Sequence, residues 1–256
     1  LRVRQRSLSS FLALLAVGGL GGAAALRGAA ALDGSHGSAP VAGSPPSLRL
    51  ARAGAERLSL NQISRRDGPG VVELSAARQE TGAARVLGSG FVIDSRGDTV
   101  TCDCVIADAG SGLRVSLASG ASYRATVVGR DHVSGVALLR IGAAPQTLTP
   151  LPLGDSDGVH AGDRVVLLGG LPGARRAARA GVVRALTRPL ASGAGGCPDD
   201  AILTDVRAGR SSSGGPLIDA RGQVIGVGVV RDGTVSAIPS NSLTMAVARI
   251  LRHGRV

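Results

Sequence analysis

From residue 71 onward the chain is a succession of short apolar or alternating stretches separated by turns that carry glycine. Residues 71–76, 88–94, 99–101, 113–117, 123–128 and 136–141 read as strands, with a Gly-bearing turn at 95–98 that makes the second and third a hairpin. Turns at Leu153-Gly154-Asp155-Ser156 and Ala161-Gly162-Asp163 lead to further strands at 164–168, 180–186, 201–204, 224–230 and 234–237. Pro239-Ser240-Asn241 then caps a terminal helix over 242–252. Short strands at near-regular spacing with no interleaved helices predict an all-β barrel or sandwich.

The N-terminal part has a different texture. Arg2, Arg4 and Arg6 precede an uncharged stretch over 7–26, followed by small residues at Ala29-Ala30-Ala31. Residues 1–31 therefore read as an export signal, and 7–26 is long enough for a short membrane anchor. Either outcome places the protein in the periplasm or facing the extracytoplasmic side of a membrane. Residues 32–66, with Gly43-Ser44-Pro45-Pro46, read as a Gly/Ser/Pro-rich linker containing a short helix near 51–58, and residues 67–256 as the folded domain.

Composition changes this picture little. Apolar residues are 44% of the 256-residue chain and aromatics 1%, so the core must be built from Val, Leu, Ile and Ala. The net charge is +11 and every basic residue other than histidine is Arg. Those arginines are scattered and have no aromatic stacking platform, which argues against nucleic acid and leaves only a weak attraction to anionic surfaces. The three cysteines, Cys102, Cys104 and Cys197, give no disulfide framework. Two apart on a continuing strand, Cys102 and Cys104 would share a face and bridge poorly.

The candidate chemistry centres on Arg210-Ser211-Ser212-Ser213-Gly214-Gly215-Pro216-Leu217, a tight loop that exposes a hydroxyl and feeds a hairpin. Ser-Gly-Gly-Pro-Leu resembles the nucleophile loop of trypsin-like serine proteases, and Thr204-Asp205 opens it as in the HtrA/DegP branch. Gly88 to Asp94, Val128-Gly129-Arg130-Asp131, Leu151 to Asp157 and Ala237-Ile238-Pro239-Ser240-Asn241 are similar to HtrA segments in the same order. The resemblance covers residues 71–256. It implies two Greek-key β-barrels with a C-terminal helix and an active site in the cleft between the barrels. A PDZ domain often follows in this family; the chain stops about where one would begin, so such a domain is expected to be absent or not included.

The same resemblance puts the catalytic machinery in question. Ser213 occupies the nucleophile position, but the family's histidine position is Cys104 and its aspartate position is Gly135. Acyl transfer by serine needs a base, an acid that orients it, and backbone N–H groups that hold the oxyanion. The oxyanion hole would involve Ser211 and Ser213, and Ser211 stands where the family has Gly, so its backbone is expected to be strained or flipped. Arg207 falls at the floor of the specificity pocket, where it would fill the space or demand an acidic partner. His132 is the nearest replacement base in sequence; His36, His160 and His253 read as solvated.

These residues predict an exported HtrA-like protein without peptidase activity, used for binding or scaffolding in the cell envelope and needing no cofactor or metal. Its partners would be polypeptide segments or envelope proteins, and the family allows an oligomer. One alternative is an active serine endopeptidase of protein quality control that uses Ser213 with a non-standard base. The other is a thiol or metal-binding module through Cys102 and Cys104. Two cysteines and one distant histidine fall short of the usual four ligands.

Overall fold

The computed structural model describes residues 57–77, 84–107, 109–110, 112–169, 177–187 and 200–253. They all belong to one unit, Arg52–Val256. The expected export segment, most of the expected linker, and Cys197 lie outside the described residues.

Among the described residues twelve strands form two closed antiparallel barrels. The first contains β1 (Val71–Ala77), β2 (Ala84–Val92), β3 (Asp98–Cys102), β4 (Arg114–Ser116), β5 (Ser122–Asp131) and β6 (Val136–Ile141). The second contains β7 (Arg164–Gly169), β8 (Ala177–Thr187), β9 (Ala201–Arg207), β10 (Pro216–Asp219), β11 (Val224–Arg231) and β12 (Thr234–Pro239). The strand orders are β1-β2-β3-β6-β5-β4 and β7-β8-β9-β12-β11-β10, so the second barrel repeats the topology of the first. Closure in each case removes the exposed sheet edges an open sheet would leave.

With so few aromatics, branched aliphatic side chains fill both interiors. Phe91 is fully buried among Val72, Leu74, Val100, Val115, Leu138 and Leu139 in the first barrel. Val165, Leu167, Val183, Ile202, Leu217 and Val235 fill the second. The apolar packing continues between the barrels, because Val166, Leu168, Ile218 and Val227 of the second join the core of the first. Helix α3 (Ser240–His253) closes the domain with Leu243, Ala246 and Ile250 buried against that shared core.

Two segments with HtrA-like sequence meet in space. Ser240 Oγ donates to the Gly154 carbonyl at 2.7 Å, and Asn241 Nδ2 donates to Asp155 Oδ1 at 2.8 Å. The start of α3 is thus fastened to the connection between the barrels, two stretches 86 residues apart.

The domain begins earlier than its composition suggests. Helix α1 (Leu60–Asp67) lies almost wholly inside the expected linker. Ser59 and Gln62 form a reciprocal capping box at its start. Ile63 is buried in the core, and the Leu58 N–H donates to the Ala220 carbonyl at 2.8 Å. The Ser-x-x-Gln signature was present in the sequence but hidden by the Gly/Pro-rich residues before it.

Asp131 ends β5 with no exposed surface and ties α3 to the first barrel. Its carboxylate accepts from the Val133 and Ser134 N–H groups at 3.1 and 3.3 Å and from Arg249 Nε at 3.1 Å. Burial pulls its pKa up, but the Arg249 guanidinium and the Ser134 N–H outweigh burial and hold it below the usual value. Stability from this group is therefore full above the unfolded carboxylate pKa and is lost as pH falls through the depressed folded value. Arg249→Met, which keeps the aliphatic stem, is expected to cost about 2 kcal/mol at pH 7 by stranding a buried acceptor. Urea denaturation should show that difference shrinking as the pH is lowered below about 4, where the carboxyl protonates in the unfolded chain.

Candidate functional site

The serine loop sits where the two barrels touch, and hydrogen bonds from β2 hold it there. The Ser89 N–H donates to the Ser213 carbonyl at 2.7 Å, and Ser89 Oγ donates to the Ser211 carbonyl at 2.5 Å. Thr101 Oγ1 braces the same strand by donating to the Ser89 carbonyl at 2.7 Å. On the other side, the Gly214 N–H donates to the Gly228 carbonyl at 2.7 Å and the Gly228 N–H to the Gly215 carbonyl at 2.8 Å.

This proximity requires glycine at Gly214. Its φ is +85°, and a Cβ there would lie 2.1 Å from Thr101 Oγ1 and 2.2 Å from the Ser89 carbonyl oxygen. The Gly-Gly pair in the sequence thus lets backbone approach backbone across the barrel boundary.

Ser213 is buried, and its hydroxyl has three polar neighbours. The Val230 N–H donates to Oγ at 3.2 Å. Cys104 Sγ and Cys102 Sγ lie at 3.8 and 4.0 Å. The two sulfurs are joined to each other in a disulfide, so they carry no proton and the serine hydroxyl must be the donor. Among the described residues no histidine or carboxylate hydrogen-bonds this hydroxyl.

The disulfide corrects the expectation that these cysteines would bridge poorly. That expectation assumed a continuing strand. Instead β3 stops at Cys102, and a single helical turn, α2 (Asp103–Ile106), begins at the next residue. The change from extended to helical backbone swings Cys104 back toward Cys102, bringing the Cα atoms to 5.3 Å. Cys102 is buried, whereas Cys104 is exposed.

The first residue of the same turn, Asp103, finds its partners elsewhere. Its carboxylate pairs with Arg130 and with His132, whose Nδ1 lies 2.8 Å from Asp103 Oδ2. The His132 side chain is 64% exposed, and Ser213 is not among its hydrogen-bond partners. The structure therefore contains a histidine–aspartate pair, unforeseen in the sequence, that makes no hydrogen bond to the Ser213 hydroxyl among the described residues.

Gly135 starts the return into β6 with φ +72°. Its carbonyl accepts from the Asp103 N–H at 2.7 Å, which fixes the start of α2. Backbone in this region favours glycine, and an aspartate here would carry strain of roughly 1 kcal/mol.

Ser211 lies in a 3-10 turn, Arg210–Ser212, with negative φ, so the side chain causes no strain there. The turn has a chemical consequence. The Ser213 N–H donates to the Arg210 carbonyl at 3.0 Å. In a trans peptide the C=O and the following N–H point in opposite directions, so the Ser211 N–H faces away from the direction in which the Arg210 carbonyl points. One of the two oxyanion donors is consumed and the other is turned away.

Arg207 lines an open hollow with Arg179, Asp205, Gly209 and Gly233. Burial alternates along β9, placing Arg207 on the outward face with Leu203 and Asp205. Its Nη1 donates to Thr234 Oγ1 at 2.8 Å, so a hydroxyl takes the place of the expected acidic partner.

A model of the trypsin-like peptidase domain matches residues 88–227, more than half of the chain. The chain belongs to the HtrA-like branch of the trypsin-fold proteases. It is 34% identical over 235 residues to the chloroplastic Protease Do-like 1 of Arabidopsis thaliana, covering 86% of this chain and 52% of that protein. It is 32% identical over 177 residues to the periplasmic serine endoprotease DegP of Salmonella typhimurium, covering 66% and 37%. The chain thus spans about half, or less, of the length of these relatives. Among solved structures, the HtrA-type protease AlgW with a tripeptide superposes with a TM-score of 0.67 at 27% identity, covering 78% of this chain and 65% of that one. The two barrels and the C-terminal helix are those of the HtrA protease domain.

Sequence reasoning located Ser213 and Cys104, which the structure brings together, but missed the parts that hold them. Ser89, Thr101 and the Val230 N–H position the serine, and their signal was only the Gly-Ser-Gly and Thr-Cys segments flanking better-known positions. Because the loop depends on contact without a Cβ, Gly214→Ala is expected to destabilise the domain by roughly 3 kcal/mol. Thermal denaturation should show the loss, whereas alanine at Gly112, which also has positive φ but open space around it, should cost less.

Proposed function

We propose that this HtrA-like protein is a pseudoprotease that binds polypeptide segments in the cell envelope without hydrolysing them. The observation that carries the reading is the surroundings of Ser213 Oγ. Its lone pairs meet the Val230 N–H and its proton faces a disulfide, so nothing in contact with it takes a proton. The turned Arg210–Ser212 peptide adds a second obstacle, because a carbonyl in place of a donor repels developing negative charge.

Peptide binding calls on neither a base nor an oxyanion hole. AlgW, an HtrA-type protease of the same fold, has been solved with a tripeptide and with a decapeptide. An envelope location is supported by the basic and apolar pattern of residues 1–31 and by the periplasmic relatives. Among the described residues no helix is long and apolar enough to cross a membrane.

A metal-binding role gains no support. Among the described residues no group of three or more His, Cys, Asp or Glu is placed to hold an ion, and the paired cysteines offer no thiolate.

The test is hydrolysis of unfolded casein. Wild type is expected to match the Ser213→Ala control, because loss of the base alone typically removes on the order of 10⁶ in kcat. Cys104→His with Gly135→Asp should remain silent while the Arg210 carbonyl is turned inward. Adding Ser211→Gly, with Arg207→Ala to open the hollow that Arg207 lines, gives the variant expected to regain turnover. Wild-type turnover that disappears in Ser213→Ala would overturn the reading and make His132 the next residue to change.

A further inference from the structure

The Cys102–Cys104 disulfide lies at the centre of the site and has no part in peptide hydrolysis. Its two sulfurs are unequal: Cys102 is buried with 1% of its surface exposed, while Cys104 lies open to solvent. The hydroxyl of Ser213 faces both. An exposed sulfur open to attack, bonded to a buried one, with a hydroxyl donor within 4.0 Å of both, favours thiol–disulfide exchange. We propose that Cys102–Cys104 is a redox-exchange site that accepts two electrons from a polypeptide carrying two cysteine thiols. The polypeptide substrate rests on the binding reading above; the exchange chemistry rests on the disulfide alone.

In the first step a substrate thiolate attacks Cys104 Sγ. A bond forms from the substrate sulfur to Cys104, the Cys102–Cys104 bond breaks, and its electron pair leaves on Cys102 Sγ. The Ser213 hydroxyl, 4.0 Å away, donates to that thiolate. In the second step the other substrate thiolate attacks the substrate sulfur of the mixed disulfide. This releases Cys104 as a thiolate and leaves the substrate with a disulfide. The substrate is oxidised by two electrons, Cys102 and Cys104 are reduced to a dithiol, and the two protons given up by the substrate thiols balance those taken up by the protein thiolates.

Serine assumes a different role in this chemistry. A hydroxyl without a base is a poor nucleophile but still a good donor, so Ser213 acts here as a positioning residue for the leaving sulfur. The contact that silences hydrolysis is the one that assists exchange.

The experiment uses the folded full chain, alkylated before and after treatment with dithiothreitol and, separately, with a reduced peptide containing two cysteines. Cleavage at arginine puts Cys102 and Cys104 on one fragment and Cys197 on another, so mass mapping reads the pair independently. Both reagents are expected to reduce the pair without denaturant, so that alkylation in denaturant once the reagent is removed labels both cysteines, and the peptide should gain a disulfide in equal amount. Cys102→Ser should trap a mixed disulfide with oxidised glutathione at Cys104, whereas Cys104→Ser should resist it. Ser213→Ala should slow reduction about fivefold at pH 7, the worth of one hydrogen bond. It should also weaken the leaving of Cys102 most at low pH, steepening the pH profile of the reduction rate, which loss of packing alone would not do. A pair already labelled before reduction, or one that dithiothreitol reduces only in denaturant, overturns the exchange site. A pair that dithiothreitol reduces but the peptide does not overturns the proposed substrate. Casein hydrolysis does not enter either outcome.

Discussion

The hydrogen bonds between Ser89 and the serine loop are what the rest of the site depends on. Ser89 offers both its N–H and its hydroxyl to carbonyls of the loop, and Gly214 lets the two backbones approach without a Cβ between them. Each barrel is closed by its own ladder, so neither needs the other for its strand pairing. The loop nevertheless bridges them, held by β2 on one side and by Gly228 of β11 on the other. Ser213 is therefore fixed at the boundary whatever surrounds its hydroxyl. A lost base leaves this scaffold standing, because the scaffold is made of backbone, glycine and the hydroxyls of Ser89 and Thr101.

The departures from the protease pattern fit one another. A cysteine at the base position becomes half of a disulfide because the chain turns helical after Cys102. That turn is held by the Gly135 carbonyl, and Gly135 adopts a backbone conformation that favours glycine over aspartate. The sulfurs receive the Ser213 proton while the Arg210 carbonyl takes its N–H. Four features of a working serine site are thereby altered through contacts among the replacing groups. Reversing one leaves the others in place, consistent with the strong non-additivity of triad residues.

Much of the fold was legible in the chain. Alternation and glycine turns located the strands, and the ordered HtrA-like segments assigned them to two barrels. What escaped depended on a local change of backbone state or on distant contacts. The strand ending at Cys102 reverses the geometric argument against a Cys-x-Cys bridge, and nothing in alternation marks that ending. The capping box at Ser59 was written in the sequence but obscured by a Gly/Pro-rich neighbourhood. Arg207 was assigned by its spacing from the serine, whereas the alternation of β9 decides its direction. The pairing of His132 with Asp103 links residues 29 apart, which no local pattern reports.

The surroundings of a single oxygen carry the functional conclusion. A fluorophosphonate probe reacts with a serine whose hydroxyl is activated, and needs no knowledge of the substrate. Intact-mass measurement of the wild-type protein after incubation with the probe, with Ser213→Ala beside it, reads that activation directly. An unmodified protein is the expected result, since the proton of Ser213 faces sulfur and no base contacts it. A stoichiometric adduct on Ser213, absent from Ser213→Ala, would contradict it.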